Sequence, residues 1–264
     1  MSGLNERHKD SVAIITGGAQ GVGRAIANQL VNEGCRKLVI AGLDRDKNAT
    51  TFADFEERGC EVVFVAADLQ NVQSCLNLVE VAVNTFGNVN VLVNAAGSGA
   101  RGSLVETTEE TWEHLMGVNA RAPFFIMQAF VKHRLAKGGG GSIVNIVSLC
   151  AHCGQSYLAA YSASKGALAT LTKNVANAYR FDQIRCNSIS PGWMDTPGED
   201  ATQRRFHGAT DGWLERAEAT QPMKQLCKPH QLAHLASYML SNEAGVMTGA
   251  MIDYDQNVNG AYPE

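Results

Sequence analysis

Short runs of aliphatic and β-branched residues alternate with longer stretches whose apolar positions recur every three or four residues. Ser11 to Thr16 (SVAIIT) is apolar on both faces, the pattern of a strand buried in a parallel sheet. Comparable runs cover Lys37 to Ala41, Glu61 to Ala66, Val89 to Val93, Ile143 to Val147, Ile184 to Ser190 and Ala250 to Asp253. Helical stripes lie between them, at Val22, Ile26, Leu30 and Val31, and at Leu76, Val79, Val83 and Phe86. A helix containing Tyr161 and a last one over Pro229 to Leu240 follow. This alternation predicts an α/β fold: one doubly wound parallel seven-stranded sheet. No linker or repeat interrupts it, so residues 1–264 read as a single domain.

Two stretches depart from the simple pattern. A long helical region runs from about Glu109 to Ala136 behind Thr107 and Thr108 as caps, with Asn119 and Pro123 inside it. In an α-helix Pro123 deprives the carbonyl of Asn119 of its usual amide partner, leaving either a water site or a mere kink around the core. From Pro197 to Gln221 no period is visible and charges accumulate, among them Arg204, Arg205 and His207. Residues 195–221 therefore read as a mobile lid over a site.

Composition narrows the class. The chain is 45% hydrophobic and 18% charged, with a net charge of −4, which gives no reason to expect nucleic acid or an anionic membrane as partner. The first ten residues are polar, and no segment approaches the ~20 apolar residues that cross a bilayer, so the cytoplasm is the expected compartment. Seven cysteines without an export signal imply free thiols. Cys150-x-x-Cys153 has no second pair at ligand spacing, and His230-x-x-x-His234 lacks a metalloprotease glutamate, so no metal site is expected.

The candidate chemistry lies at strand ends. The first strand runs into Thr16-Gly17-Gly18-Ala19-Gln20-Gly21-Val22-Gly23 and then a helix, which reads as a phosphate cradle or as a tight turn with no ligand. Asp44, about twenty residues on, is either a ribose partner or the cap of a helix beginning near Asp46. Asn94-Ala95-Ala96-Gly97 offers small residues against which a cofactor could lie. Ser148 follows the fifth strand, and Tyr161 and Lys165 are one helical turn apart on one face, ~6 Å along the axis. A free tyrosine titrates near ~10, and bringing it to neutrality takes roughly 3–4 kcal/mol of phenolate stabilisation, of the kind an ammonium supplies. On these residues alone Tyr161 is either an acid/base or an ordinary half-buried side chain.

The order of the motifs decides between the two. Thr16-Gly17-x-x-x-Gly21-x-Gly23, Asn94 to Gly97, Asn119, Ser148, Tyr161-x-x-x-Lys165 and Pro191-Gly192 together resemble the short-chain dehydrogenase/reductase family, in its compact single-domain branch, along the whole chain. The resemblance implies a Rossmann-like sheet and a catalytic tetrad. Tyr161 would be the acid/base, Ser148 would orient the reacting oxygen, Lys165 would tune the phenol and hold the nicotinamide ribose, and Asn119 would anchor a relay water through its carbonyl. It also implies cofactor contacts from Gly17, Gln20, Gly21, Val22 and Gly23, from Asp68 and Leu69 at the adenine, and from Asn94, Ala95 and Ala96. Pro191, Gly192, Met194 and Thr196 would complete them. Asp253-Tyr254-Asp255-Gln256 departs from the aspartate and two glycines often found there.

The expected activity is hydride transfer between a nicotinamide cofactor and a small secondary alcohol or ketone, a polyol or sugar among them, with no metal. NAD is favoured over NADP by Leu43 and the anionic Asp44; Arg45 argues the other way. The reacting carbon would be surrounded by Ser148, Cys150, His152, Gln155 and Trp193, with Cys153, Tyr157 and Met194 nearby. One alternative is a reductase of carrier-bound 3-oxoacyl chains, docked by Lys132, Arg134 and Lys137; another is a non-catalytic cofactor-binding protein. The resemblance suggests a homotetramer, for which the small residues of the Tyr161 helix (Ala159, Ala160, Ala163, Gly166, Ala167, Ala169) would allow close packing, or they merely fit the helix to its own sheet.

Overall fold

A computed structural model of the chain describes residues 6–44 and 49–261. The apolar runs form β1 (Val12–Thr16), β2 (Lys37–Gly42), β3 (Glu61–Ala66), β4 (Val91–Asn94), β5 (Gly141–Ile146), β6 (Ile184–Pro191) and β7 (Met251–Tyr254). All pair in parallel, in the order β3-β2-β1-β4-β5-β6-β7. The helices are α1 (Gly21–Asn32), α2 (Ala49–Glu57), α3 (Val72–Phe86), α4 (Glu109–Met116), α5 (Ala122–Lys137), α6 (Ala159–Ala178), α7 (Pro197–His207), α8 (Trp213–Thr220) and α9 (Pro229–Leu240).

Successive side chains on a strand point to opposite faces, so a strand apolar at every position must be covered twice. Ile14, Val39, Leu92 and Ile143 pack with Leu78, Ile126, Phe130 and Leu168 from α3, α5 and α6. Ile15, Ile40, Val93 and Val144 pack on the other face with Ile26 and Leu30 of α1 and Leu232 and Met239 of α9. The chain leaves β1 toward β2 on one side and re-enters at β4 on the other. That reversal opens a crevice at the C-terminal strand ends, where open α/β sheets bind ligands.

Most predicted elements occur within a residue or two of their predicted bounds; the exceptions have identifiable causes. β4 starts at Val91, because the amide of Val89 turns to the ring of His133. On α3 the fully buried stripe is Cys75, Leu78, Val79 and Ala82, with Leu76 half-buried at its flank; small Cys and Ala occupy the centre. The long helix is two, α4 and α5, joined by a π-turn at Gly117–Arg121 in which the Ala122 amide donates to the Gly117 carbonyl. The region 197–221 is not without structure: it holds α7, capped by Thr196, and α8. Among its described residues α7 buries none, so it has no apolar stripe to betray it. The helix start near Asp46, and Arg45, lie outside the described residues.

Arg134, taken above as part of a basic docking surface, is buried. It donates to Asn88 Oδ1, Val89 O, Gly138 O and Gly139 O, and so pins the glycine turn before β5.

At the opposite end of the sheet from the crevice, His8 is 1% exposed. Its ring contacts Ser11 Oγ at 3.0 Å and the Ser237 carbonyl at 3.1 Å, while Ser237 Oγ donates to Glu33. Arg7 ion-pairs with Glu33 and Glu243. Burial lowers the His8 pKa despite the nearby carboxylates. The unfolded imidazole therefore binds protons more tightly than the folded one, and stability falls as the pH drops below about 6.5. Denaturant midpoints at pH 7.5, 6.5 and 5.5 should decline along that series, and more steeply for the native chain than for His8→Gln. Parallel slopes would show that His8 does not carry the effect.

Candidate active site

The crevice is built first by β1 and β4. Thr16 Oγ1 accepts the amides of Ala95 and Ala96, both at 3.1 Å, and ties the two strand ends together. Gly17 has φ +66°, and a Cβ there would lie 3.0 Å from the Ala96 backbone. Gly21 also has φ +54°, and a Cβ on Gly23 would collide with the Gly17 carbonyl. Gln20 caps α1 without any side-chain bond, so no capping side chain blocks the first-turn amides of Gly21, Val22 and Gly23. A glycine-lined turn leading to an uncapped helix N-terminus suits a pyrophosphate, which passes the test for a dinucleotide. Across the groove from Gly21 stands Thr196, its methyl 3.7 Å from the position of a Cβ.

At the rim, Asp44 is half-buried beyond β2, Leu43 is exposed, Asp68 is exposed beyond β3 and Leu69 is half-buried. Asn94 is fixed by a buried amide chain: its Nδ2 donates to Asn145 Oδ1 (2.8 Å), whose Nδ2 donates to Thr172 Oγ1 (2.9 Å) on α6. Pro191 is buried and Gly192 half-buried after β6. Asp255 packs directly on the Gly192 α-carbon and leaves no room for a side chain there. The following Trp193–Asp195 segment is held by Cys227, through Cys227 N to Trp193 O and Asp195 N to Cys227 O, both 2.9 Å.

Asn119 is fully buried in the π-turn. Its side chain is consumed locally: Oδ1 accepts the Ser98 amide (2.8 Å), and Nδ2 donates to Ser98 O (2.9 Å) and Ser164 Oγ (3.0 Å). It clamps the loop after β4 to α6. The turn does not keep the α register expected from the sequence: the Ala122 amide reaches five residues back to the Gly117 carbonyl, and Pro123 supplies no amide.

Ser148 is buried two residues past β5 and caps a short turn by accepting the Cys150 amide (3.2 Å). Its hydroxyl is also the hydrogen-bonding partner that favours the Tyr161 phenolate. Lys165 is buried, 5.9 Å from the Tyr161 ring centroid, and donates to the Ile146 carbonyl at 2.9 Å. A Cβ on Gly97 would lie 3.3 Å from Lys165 Nζ and 3.2 Å from Asn119 Oδ1, so the glycine makes room for both. Burial outweighs the help from Ser148: it raises the Tyr161 pKa, and it lowers that of Lys165 to about 8. At pH 7 the lysine is still mostly an ammonium and the tyrosine a phenol.

On the substrate side, Cys150 is half-buried, its thiol raised chiefly by burial, and Gln155 is exposed. Several polar side chains singled out above are engaged with one another. His152 pairs with Asp253 at 2.8 Å, Trp193 Nε1 donates to Glu199 at 2.8 Å, and Arg204 pairs with Asp200 and Asp211. The rings of Tyr157 and His207 meet at 5.6 Å. Arg101 and Glu199 carry no signal in the sequence: they lie outside any motif, and only their placement around the crevice reveals them. Asp253 stands in the stretch that departs from the family pattern, and its pairing with His152 appears only in the structure. Arg101 sits midway along the connection between β4 and α4, its Nη2 3.9 Å from Glu199 Oε2 on α7. A cavity of about 480 Å³ lies between this loop, α4 and α7, lined by Ser98, Gly99, Thr111, His114, Thr202 and Arg205 among others.

Residues 17–259 match the family model described as enoyl-(acyl carrier protein) reductase. The NADP-dependent (R)-specific alcohol dehydrogenase of Lentilactobacillus kefiri is 33% identical, over 94% of this chain and 96% of that protein. A protein named as probable galactose dehydrogenase from Rhizobium meliloti is 31% identical over 95% of each. Among solved structures, a protein provisionally described as a short-chain alcohol dehydrogenase from Sinorhizobium meliloti superposes with a TM-score of 0.85 at 27% identity, covering 96% of this chain and 97% of that one.

Two substitutions should move stability in opposite directions. Asn119→Ala leaves the Ser98 amide, the Ser98 carbonyl and the Ser164 hydroxyl without their partner, and should cost about 2–3 kcal/mol. Lys165→Met removes an ammonium that the fold disfavours. Moving its pKa from 10.5 to about 8 corresponds to about 3 kcal/mol at neutral pH, so the variant should be at least as stable as the native chain. Denaturant titration of both variants measures this; a strongly destabilised Lys165→Met would contradict it.

Proposed function

Because the chain belongs to the short-chain dehydrogenase/reductase family, we propose that Tyr161 is the acid/base of an NAD(P)-dependent oxidoreductase acting on CH–OH groups. The observation that carries the role of Tyr161 is the convergence of its phenol with Ser148 and the buried Lys165 at the mouth of an uncapped glycine cradle. When bound, the nicotinamide accepts or supplies the hydride. Tyr161 Oη exchanges the proton of the substrate hydroxyl, and Ser148 Oγ orients that oxygen. The Lys165 ammonium favours the phenolate and holds ribose hydroxyls with the hydrogens that Ile146 leaves unused. Asn119, its side chain committed to Ser98 and Ser164, serves a relay water through its carbonyl.

In the same reading Gly17, Gln20, Gly21, Val22 and Gly23 take the pyrophosphate. Asp68 and Leu69 take the adenine, and Asn94, Ala95, Ala96, Pro191, Gly192, Met194 and Thr196 the nicotinamide half. Residues 195–221 act as the lid of a single domain. The substrate is a small, polar, hydroxylated molecule, met by Ser148, Cys150, His152, Gln155 and Trp193. Burial of Arg134 removes the central cation of the surface that a carrier-bound acyl chain would have used. A cytoplasmic homotetramer is the assembly and location we infer.

Tyr161→Phe keeps the ring but not the exchangeable proton. Turnover should fall by about 100-fold or more, while NADH binding, followed by fluorescence, stays near that of the native enzyme. Turnover within tenfold of native would remove Tyr161 from the mechanism.

NAD(H) should be preferred to NADP(H), since a 2′-phosphate would meet Leu43 and the carboxylate of Asp44 at the tip of β2. The comparison is kcat/KM for the two cofactors with one substrate. A tenfold advantage for NADPH would reverse the assignment.

A further inference from the structure

Arg101 belongs to no motif, yet it is held firmly beside the reacting groups. Its side chain is 16% exposed and its guanidinium carbon lies 5.9 Å from the Tyr157 ring centroid. Its charge, and the opposite charge of Glu199, both bear on the Tyr161 phenol. The three nitrogens are treated unequally. Nη1 donates to the Gly99 carbonyl at 2.7 Å, which fixes the orientation of the group. Nη2 has Glu199 Oε2 only at 3.9 Å, beyond hydrogen-bond reach. Nε is buried and has no acceptor among the described residues.

Nε and Nη2 form one edge of the guanidinium, two parallel N–H donors spaced to meet both oxygens of a carboxylate. A lone hydroxyl would satisfy one of them and leave the other buried without a partner. Glu199 does not fill the edge, because its Oε1 is held by Trp193 Nε1 at 2.8 Å and by Gln203 Nε2 at 2.7 Å. A phosphate would also fit two donors, but its second charge would face the carboxylate of Glu199. A singly charged group is the better match.

We propose that Arg101 anchors a carboxylate of the substrate, so that the enzyme's substrates are hydroxylated carboxylic acids of the aldonate type. This rests on the reading of a small polar substrate reacting at Tyr161 and narrows it. The carboxylate on Arg101 would set which hydroxyl-bearing carbon of the acid lies at the phenol.

The test pairs aldonates of three to six carbons with the alditols of equal length, gluconate against glucitol for example, with glucitol 6-phosphate as the phosphate arm. The best aldonate should exceed its alditol at least tenfold in kcat/KM. Arg101→Met should shrink that ratio by about 10- to 100-fold, through KM for the acid, and Arg101→Lys should recover part of it. Should the Met variant fold poorly, Glu199→Gln provides a second reading: removing the competing carboxylate should leave KM for the acid equal or lower. The proposal falls if no acid exceeds its alditol, if the phosphate ester is the preferred anion, if Arg101→Met lowers acid and alditol alike, or if Glu199→Gln raises KM for the acid tenfold. Activity on alditols without preference for acids overturns this inference alone; activity confined to apolar alcohols overturns the polar-substrate reading with it.

Discussion

Burying one ammonium organises the crevice. Lys165 sits in the interior, where the Ile146 carbonyl is its one acceptor among the described residues, and burial lowers its pKa to about 8. A charge in that position is tolerated only if the walls leave it room and give it polar neighbours. β5 ends at Ile146, whose carbonyl accepts from the ammonium. Gly97 lacks the side chain that would touch the ammonium, and Asn119 holds the adjoining loop away through Ser98. The fold accepts a local loss of stability in order to keep a cation in the crevice, a trade common at functional sites.

The same economy explains the break between α4 and α5. A continuous α-helix would carry the Asn119 side chain around the axis at a fixed rate. The π-turn inserts an extra residue and lets Asn119 face both Ser98 and Ser164 while Ala122, Ile126 and Phe130 still meet the sheet. Core packing and loop clamping have different angular demands, and the widened turn reconciles them.

What could be read from the chain divides along physical lines. Strands buried on both faces announce themselves by composition, and the glycine turn, Ser148, Tyr161 and Lys165 lie where strand and helix periods place them. The π-turn could not be read, because hydrogen-bond register leaves no hydrophobic trace. α7 stayed hidden because a helix with no buried residue has no stripe, although Thr196 as cap and Gly208 as its left-handed end were visible signs. Arg134 looked like surface charge because a sequence does not say which carbonyls will surround a guanidinium. Arg101 and Glu199 meet only after the sheet brings residues about a hundred positions apart across the crevice.

The cluster at the far end of the sheet also bears on how the chain is made. His8 and Glu33 find their partners on Ser237, more than two hundred residues later, and α1 packs on α9. While the ribosome is still adding the second half, β1 has no β4 beside it until Asn94 has emerged, and α1 has no covering helix until α9 has. The first hundred residues thus carry an apolar helix face and a buried-type histidine with nothing to bury them through most of synthesis. Such a chain can close its core only after α9 has been made, and a nascent half-protein is the form in which it is most exposed to aggregation and to chaperones.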